Sequence, residues 1–387
     1  MKKSYEIDMC NGPLLGKILV FSIPLMLSGI LQLLFNAADI IVVGRFAGST
    51  ALAAVGSTAS LINLMINVFV GLSVGVNVLA ARYYGAQKEK DIQDTVHTAI
   101  MMAILSGLFL VVLGENASKP MLTLMGTPDD VLDQAALYLR IYFFGMPVLM
   151  IYNFGAALLR AVGDTRRPLY FLFAAGAVNV MLNLFFVIQL GMGVDGVAWA
   201  TVISECVSAG LIIRSLMKEN GAMKLHLTKL RIVSGKLTQI VRVGLPAGMQ
   251  GAIFSISNVL IQSSVNSFGS IAMAGSTASA NVEGFVYNAM NAVYQTALSF
   301  TSQNYGVKKT KRMDRVLVDC IILSILIATV MGGAFYVFGP QILSVYNKEP
   351  DVIKSGMEIL SFTTLTYFLC GIMDLFPGAM RGMGRSG

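Results

Sequence analysis

Charge is what this 387-residue sequence has least of: 13% of its residues are Asp, Glu, Lys or Arg, against 55% hydrophobic ones, with a mean hydropathy of +0.71. Soluble domains carry roughly 25% charged residues, so a solvated globule, a disordered chain and a nucleic-acid-binding domain are excluded as readings. Cysteine is scarce too. Cys10, Cys206, Cys320 and Cys370 show no CxxC or His-paired spacing, which argues against a disulfide scaffold or a zinc site and makes them packing residues. The only histidines, His97 and His226, are solitary in the sequence, so no metal centre is expected beyond a possible sodium site built from oxygens. A nucleotide-driven motor is missing as well. Gly12 to Lys17 has the wrong spacing for a phosphate loop, and the GxGxxG stretches 191–196 and 382–387 follow no strand and read as turns. Neither an enzyme nor a cofactor is expected.

What the sequence has instead is long apolar runs. About 20 mainly apolar residues cross a bilayer core as a helix, and ten runs meet that test: 18–43, 51–81, 95–114, 134–158, 168–190, 194–216, 238–266, 271–301, 316–339 and 353–379. The chain therefore reads as an all-α polytopic membrane protein embedded in the lipid bilayer of the cell's inner (plasma) membrane. With a cytoplasmic amino terminus, 23 of the 28 basic residues fall on the inner side, Lys2 and Lys3 included; only Arg45, Lys119, Arg140, Lys348 and Lys354 fall outside. This asymmetry sets the orientation. The net charge of +7 thus marks topology, and no nucleic acid partner is implied.

Gly56-Ser57-Thr58-Ala59-Ser60 returns unchanged as Gly275-Ser276-Thr277-Ala278-Ser279, 219 residues later. Pro24 matches Pro246, Tyr84-Gly85 matches Tyr305-Gly306, and Arg160-Ala161-Val162-Gly163 matches Arg381-Gly382-Met383-Gly384, at offsets of 221 or 222. A repeat with an even number of spans returns to its starting side, so the copies are parallel. The expected organisation is two parallel six-helix repeats: a lobe over 1–217, a Lys- and Arg-rich cytoplasmic linker over 218–237, and a second lobe over 238–387. Twelve helices are expected and ten are present. The offset predicts two further helices, roughly 50 residues, beyond Gly387.

Four stretches taken together resemble the multidrug and toxic compound extrusion (MATE) family. They are Ser22-Ile23-Pro24 leading to Asp39 and Gly44-Arg45; Arg82-Tyr83-Tyr84-Gly85; Leu159-Arg160-Ala161-Val162-Gly163-Asp164-Thr165; and Thr301-Ser302-Gln303-Asn304-Tyr305-Gly306. The resemblance implies two six-helix lobes facing a central cleft, and export of organic cations in exchange for H⁺ or Na⁺. It also implies a cation-coupling role for Asp39, the first-span carboxylate. Members of the family often carry Asp where this chain has Asn183, and some carry a carboxylate on the seventh span where this chain has Phe254 and Ser255. The sodium site of that branch is therefore not expected. A monomer is expected.

Ionisable groups inside apolar runs are costly and are candidate sites by default. Four qualify, all acidic: Asp39, Glu205, Glu283 and Asp374. Gln32, Phe35, Asn36 and Asp39 share one helical face, as do Asn179 with Asn183 and Thr201 with Glu205. Asp39, Asn179, Asn183 and Thr201 form a candidate ion-coupling cluster of oxygens for Na⁺ or a shared proton; packing between helices is the alternative for the two Asn. Glu283, Tyr287, Met290 and Tyr294 make a second stripe, and Thr363, Tyr367, Cys370 and Asp374 a third. Carboxylates beside ring faces and sulfur suit a hydrophobic cation. The candidate substrate-binding residues are accordingly Gln32, Asn36, Glu205, Glu283, Tyr287, Met290, Tyr294, Tyr367 and Asp374. Pro24 and Pro246, breaking the backbone ladder at equivalent points, are candidate hinges or fixed kinks.

The leading reading is a secondary antiporter for amphiphilic organic cations. The alternatives are a flippase for lipid-linked oligosaccharide or peptidoglycan precursors, which would need buried basic residues for a pyrophosphate, and a membrane scaffold that transports nothing.

Overall fold

The computed structural model describes residues 5–346 and 348–386, among which no strand occurs; Lys2 and Lys3 lie outside them. The helices are α1 (Leu14–Val42), α2 (Ser49–Gly85), α3 (Glu89–Leu124), α4 (Asp129–Phe144), α5 (Met146–Ala161), α6 (Arg166–Leu184), α7 (Val194–Met217), α8 (Ser234–Asn266), α9 (Ser270–Gly306), α10 (Thr310–Tyr346) and α11 (Pro350–Gly382). Among the described residues eight of these are long and apolar enough to cross a membrane, and α4 with α5 makes a ninth, bent by 48°.

Two expectations need correction. The run 134–158 is not one helix but the bent pair α4 and α5, broken at Gly145. Pro147 lacks an N–H and disfavours helical backbone at the residue before it, so a new helix starts there, its Val148 and Leu149 N–H groups bonding the Gly145 carbonyl. The run 271–301, inside α9, falls short of the apolarity of a lipid-facing span. The reason is its surroundings: α9 packs among α1, α2, α10 and α11, and it buries Ser279, Thr296, Ser299, Ser302, Gln303 and Asn304. These side chains find protein partners, such as Thr296 donating to the Ala292 carbonyl at 2.7 Å and Gln303 donating to the Ala161 carbonyl at 2.7 Å.

The duplication extends to the backbone. Gly48 and Gly269 precede α2 and α9 with φ of 93° and 96°, and the non-glycine residues Gln87 and Lys308 follow the same helices with φ of 54° and 59°. A left-handed non-glycine residue is uncommon, so two at corresponding turns mark a shared ancestral conformation. In the C-terminal halves of α2, α5 and α9 the two halves of the chain are tied together: Ser299 donates to Asn77 Oδ1 at 3.1 Å, and Asn77 donates to the Ala157 carbonyl at 3.2 Å.

The segment between α7 and α8 lies against α3. Arg231 pairs with Asp94 at 2.6 Å, Lys236 with Asp91 at 2.6 Å, and the His226 N–H donates to His97 Nε2 at 3.2 Å. The two histidines, solitary in sequence, stack with ring centroids 6.3 Å apart. His97 Nδ1 lies 2.7 Å from the Gln93 carbonyl, so the neutral ring donates there and accepts from His226. Partial desolvation, then Lys229, Lys224 and His97, push the His226 ring below the usual histidine range. A docked state that disfavours the imidazolium is fully formed above the free pKa of about 6.5 and weakens as pH falls through it. Protection of the amides over residues 221–232, measured as hydrogen exchange relative to the intrinsic rate at each pH, is therefore expected to fall between pH 7.5 and 5.5. In His226→Gln, which removes the titrating ring and keeps the backbone N–H that donates to His97, that loss of protection shrinks; an unchanged pH response in the variant would contradict the latch.

Candidate functional site

The first polar cluster is built by α1, α6 and α7. Gly176 lets α1 approach α6 closely: a Cβ there would lie under 3.0 Å from the Phe35 ring. One turn beyond Phe35, Asp39 meets Asn183, whose Nδ2 donates to its Oδ1. The same Nδ2 donates to Asn179 Oδ1 at 3.2 Å, and Asn179 Nδ2 donates to Thr201 Oγ1 at 3.4 Å. Asn179 and Asn183 are buried, Asp39 and Thr201 half-buried. Asn183 Oδ1 is buried with no partner. Just past this cluster both α1 and α6 continue as π-helical turns, 43–47 and 185–189, which touch each other. Such turns recur at functional sites. Glu205, one turn from Thr201 on α7, is half-buried.

The second cluster is built by α8, α9 and α11. Thr363 interacts with both Glu283 and Tyr367, while Glu283 Oε1 is buried without a partner. Arg381 donates to the Tyr294 hydroxyl at 2.9 Å and to Gln250 Oε1, tying α11 to α9 and α8. Asp374, two turns before Arg381, feels the Arg381 charge, and its own charge acts on Tyr287 and Tyr294.

A family model described as MatE matches residues 24–185 and again 246–386, opening each time on one of the two paired prolines. The chain belongs to the MatE family. MatE proteins are membrane transporters, not enzymes. The probable multidrug resistance protein YoeA of Bacillus subtilis (strain 168) is 30% identical over 374 residues, 94% of this chain and 80% of that protein. A multidrug resistance MATE family transporter of the MOP superfamily, solved in an outward-facing conformation, superposes with a TM-score of 0.92 at 22% identity, over 100% of this chain and 86% of that one. A MOP superfamily transporter from Pyrococcus furiosus, whose binding pocket has a reverse polarity that suggests a different function, gives the same TM-score and identity over 100% and 86% of the two chains.

In this MatE chain the remaining expected site residues are dispersed. Gln32 and Asn36 are exposed, two turns and one turn before Asp39 respectively. Tyr287 is exposed, whereas Met290 is buried in an apolar group with Val286, Ala328 and Tyr367; it packs rather than lining a polar surface. Pro24 is buried and its carbonyl accepts from Ser28 at 2.8 Å, and Pro246 is half-buried inside a continuous α8. Arg381, in the last turn of α11, is buried and held by Tyr294 and Gln250. Two residues were missed: Tyr138 and Tyr142 on α4, which lie within electrostatic reach of both Asp39 and Glu205. Their four-residue spacing in an apolar run reads as packing, and only the fold brings them to the carboxylates.

Proposed function

We propose that this chain is a secondary antiporter that exports amphiphilic organic cations, drugs or toxic compounds, across the plasma membrane in exchange for H⁺ or Na⁺. In this reading it is a monomer with a cytoplasmic amino terminus and two lobes joined by the 218–237 linker. The observation that carries it is Asp39: an intramembrane carboxylate at the end of a chain of hydrogen bonds through Asn183, Asn179 and Thr201, with no basic side chain against it. A bare charge there is costly, so the group takes a proton, a sodium ion or a substrate cation, and exchange follows from their competition. The multidrug names of its relatives support the substrate class. A flippase is disfavoured because the buried Arg381 is already engaged by Tyr294 and Gln250. Counterflow of a fluorescent cation in proteoliposomes, with pH and Na⁺ gradients imposed separately, tests the reading and selects the ion; no uptake under either gradient would sink it.

In the second cluster Glu283 supplies charge for the same class of substrate. Glu283→Gln is expected to reduce efflux of cationic dyes several-fold more than that of neutral ones, because only the former lose a charge partner in a low-dielectric site. Equal losses for both would assign Glu283 to packing.

A further inference from the structure

The segment between α7 and α8 crosses a face of α3 that also meets lipid. Its partners there are Asp91, Asp94, His97 and Thr98. Lys236 and Arg231 pair with the two carboxylates at 2.6 Å each, the His226 N–H reaches His97 Nε2 at 3.2 Å, and the Val233 N–H donates to Thr98 Oγ1 at 3.1 Å. At 100° per residue these four share one sector of about 120° with Leu105, Leu108, Phe109 and Val112, which stand 46%, 51%, 56% and 63% exposed further along the helix. Thr98 and Leu105 are separated by a rise of about 10 Å. The segment therefore lies on the lipid-facing side of α3, across the start of its apolar run at 95. Its two surfaces differ. Met223 and Leu225 are buried in the core beside Ile212 and Leu216 of α7, and the Leu225 N–H bonds the Leu216 carbonyl at 3.0 Å. Outward, Leu227 and Ile232 are 49% and 40% exposed and alternate with the exposed Lys224, Lys229 and Arg231. Lys218, Lys224 and Lys229 have no carboxylate partner among the described residues. Arg231 and Lys236 meanwhile neutralise the two α3 carboxylates that would repel an anionic surface.

We propose that residues 218–232 form an in-plane docking surface for anionic phospholipids, with Lys218, Lys224 and Lys229 against the headgroup phosphates and Leu227 and Ile232 entering the acyl boundary. The leaflet it meets, the cytoplasmic one, is taken from the reading above; the surface itself does not depend on transport. Lysines near an anionic bilayer gain from its negative surface potential, and the apolar side chains between them gain by leaving water. Lysines alone would remain a solvated face screened by salt. Apolar side chains alone would enter any bilayer without preference among headgroups. The two together, held at the boundary by the contacts to α3, select an anionic lipid over a zwitterionic one.

The test places a reporter on the surface of the full chain. Leu227→Trp in a Trp199→Phe background leaves one indole, since Trp199 is the single tryptophan. The protein is reconstituted in nanodiscs of equal parts phosphatidylcholine and phosphatidylglycerol, with one lipid or the other brominated on its acyl chains. Brominated phosphatidylglycerol is expected to quench the indole at least about twofold more than brominated phosphatidylcholine. Adding Lys224→Gln and Lys229→Gln, or raising the salt, removes the preference and leaves equal quenching by the two lipids. Ile232→Trp repeats the measurement at the second apolar position, and gel filtration confirms that the variants are folded. Equal quenching at low salt with the lysines intact would overturn the proposal, and so would a preference that survives loss of both lysines. An indole that emits as in water and is quenched by neither lipid would make this a solvated face and overturn it as well. The readout involves no transport, so failure here and failure of the antiporter reading are separate results.

Discussion

Asp39→Asn is expected to leave the protein folded and inserted but to reduce gradient-driven efflux by at least about tenfold, the largest functional loss of any single substitution considered. Asn keeps the size of the side chain and one oxygen. It removes the charge, the titration and the strongest acceptor at the end of the Asn183, Asn179 and Thr201 chain. Each occupant of the site biases α1 between its conformations only by the difference in its affinity for them, and a neutral amide reduces that difference for every cation at once. The measurement is dye efflux from proteoliposomes under a pH or a Na⁺ gradient, with insertion checked by protein recovered in the membrane. Adding Asn183→Asp to this variant returns a carboxylate to the same hydrogen-bonded cluster and is expected to restore part of the ion-dependent efflux. Full efflux in Asp39→Asn, with unchanged pH and Na⁺ dependence, would move the coupling site to Asp374 or Glu205.

The spans and the duplication were legible because both are linear signals: apolar length, and identity at a fixed offset. Helical spacing also grouped Asn179 with Asn183 and Thr201 with Glu205, since residues four apart on a helix are neighbours whatever the fold. The Asp39 to Asn183 contact spans 144 residues of chain, and no local periodicity encodes it. Other features were present in the sequence but misread. Gly145-Met146-Pro147 carried the break between α4 and α5, yet the surrounding apolar run looked continuous. The partners of the buried Arg381, Tyr294 and Gln250, come from two other helices, which no local pattern encodes. The polarity of α9 is a tertiary property: a span enclosed by other helices has no need to be as apolar as one facing lipid.

A close backbone contact between the two halves of the chain sets the largest expected loss of stability. Gly71 and Gly75 on α2 face Gly244 and Gly248 on α8, and a Cβ on any of the four would lie under 3.0 Å from backbone atoms of the opposite helix. Two small-xxx-small motifs thus bring the backbones together around Pro246, the arrangement that lets helices associate in a bilayer where no hydrophobic force drives them. Backbone cannot rotate out of the way as a flexible side chain can. Gly71→Ala and Gly248→Ala are each expected to cost about 1 to 3 kcal/mol by overpacking and to lower the apparent melting temperature in detergent by several degrees, with Gly248→Val worse than Gly248→Ala. Gly56→Ala, where a Cβ would meet nothing within 4 Å, is the control on the same helix and is expected to be neutral. Melting curves for Gly71→Ala and Gly248→Ala that match Gly56→Ala would refute the seam. The corresponding pair in the repeat, α1 against α9, has no such glycines: Ser22, Met26, Ala292 and Thr296 stand at the matching positions. The close backbone seam is thus particular to α2 and α8, while α1 and α9 pack through side chains such as the buried Ser22 and Thr296.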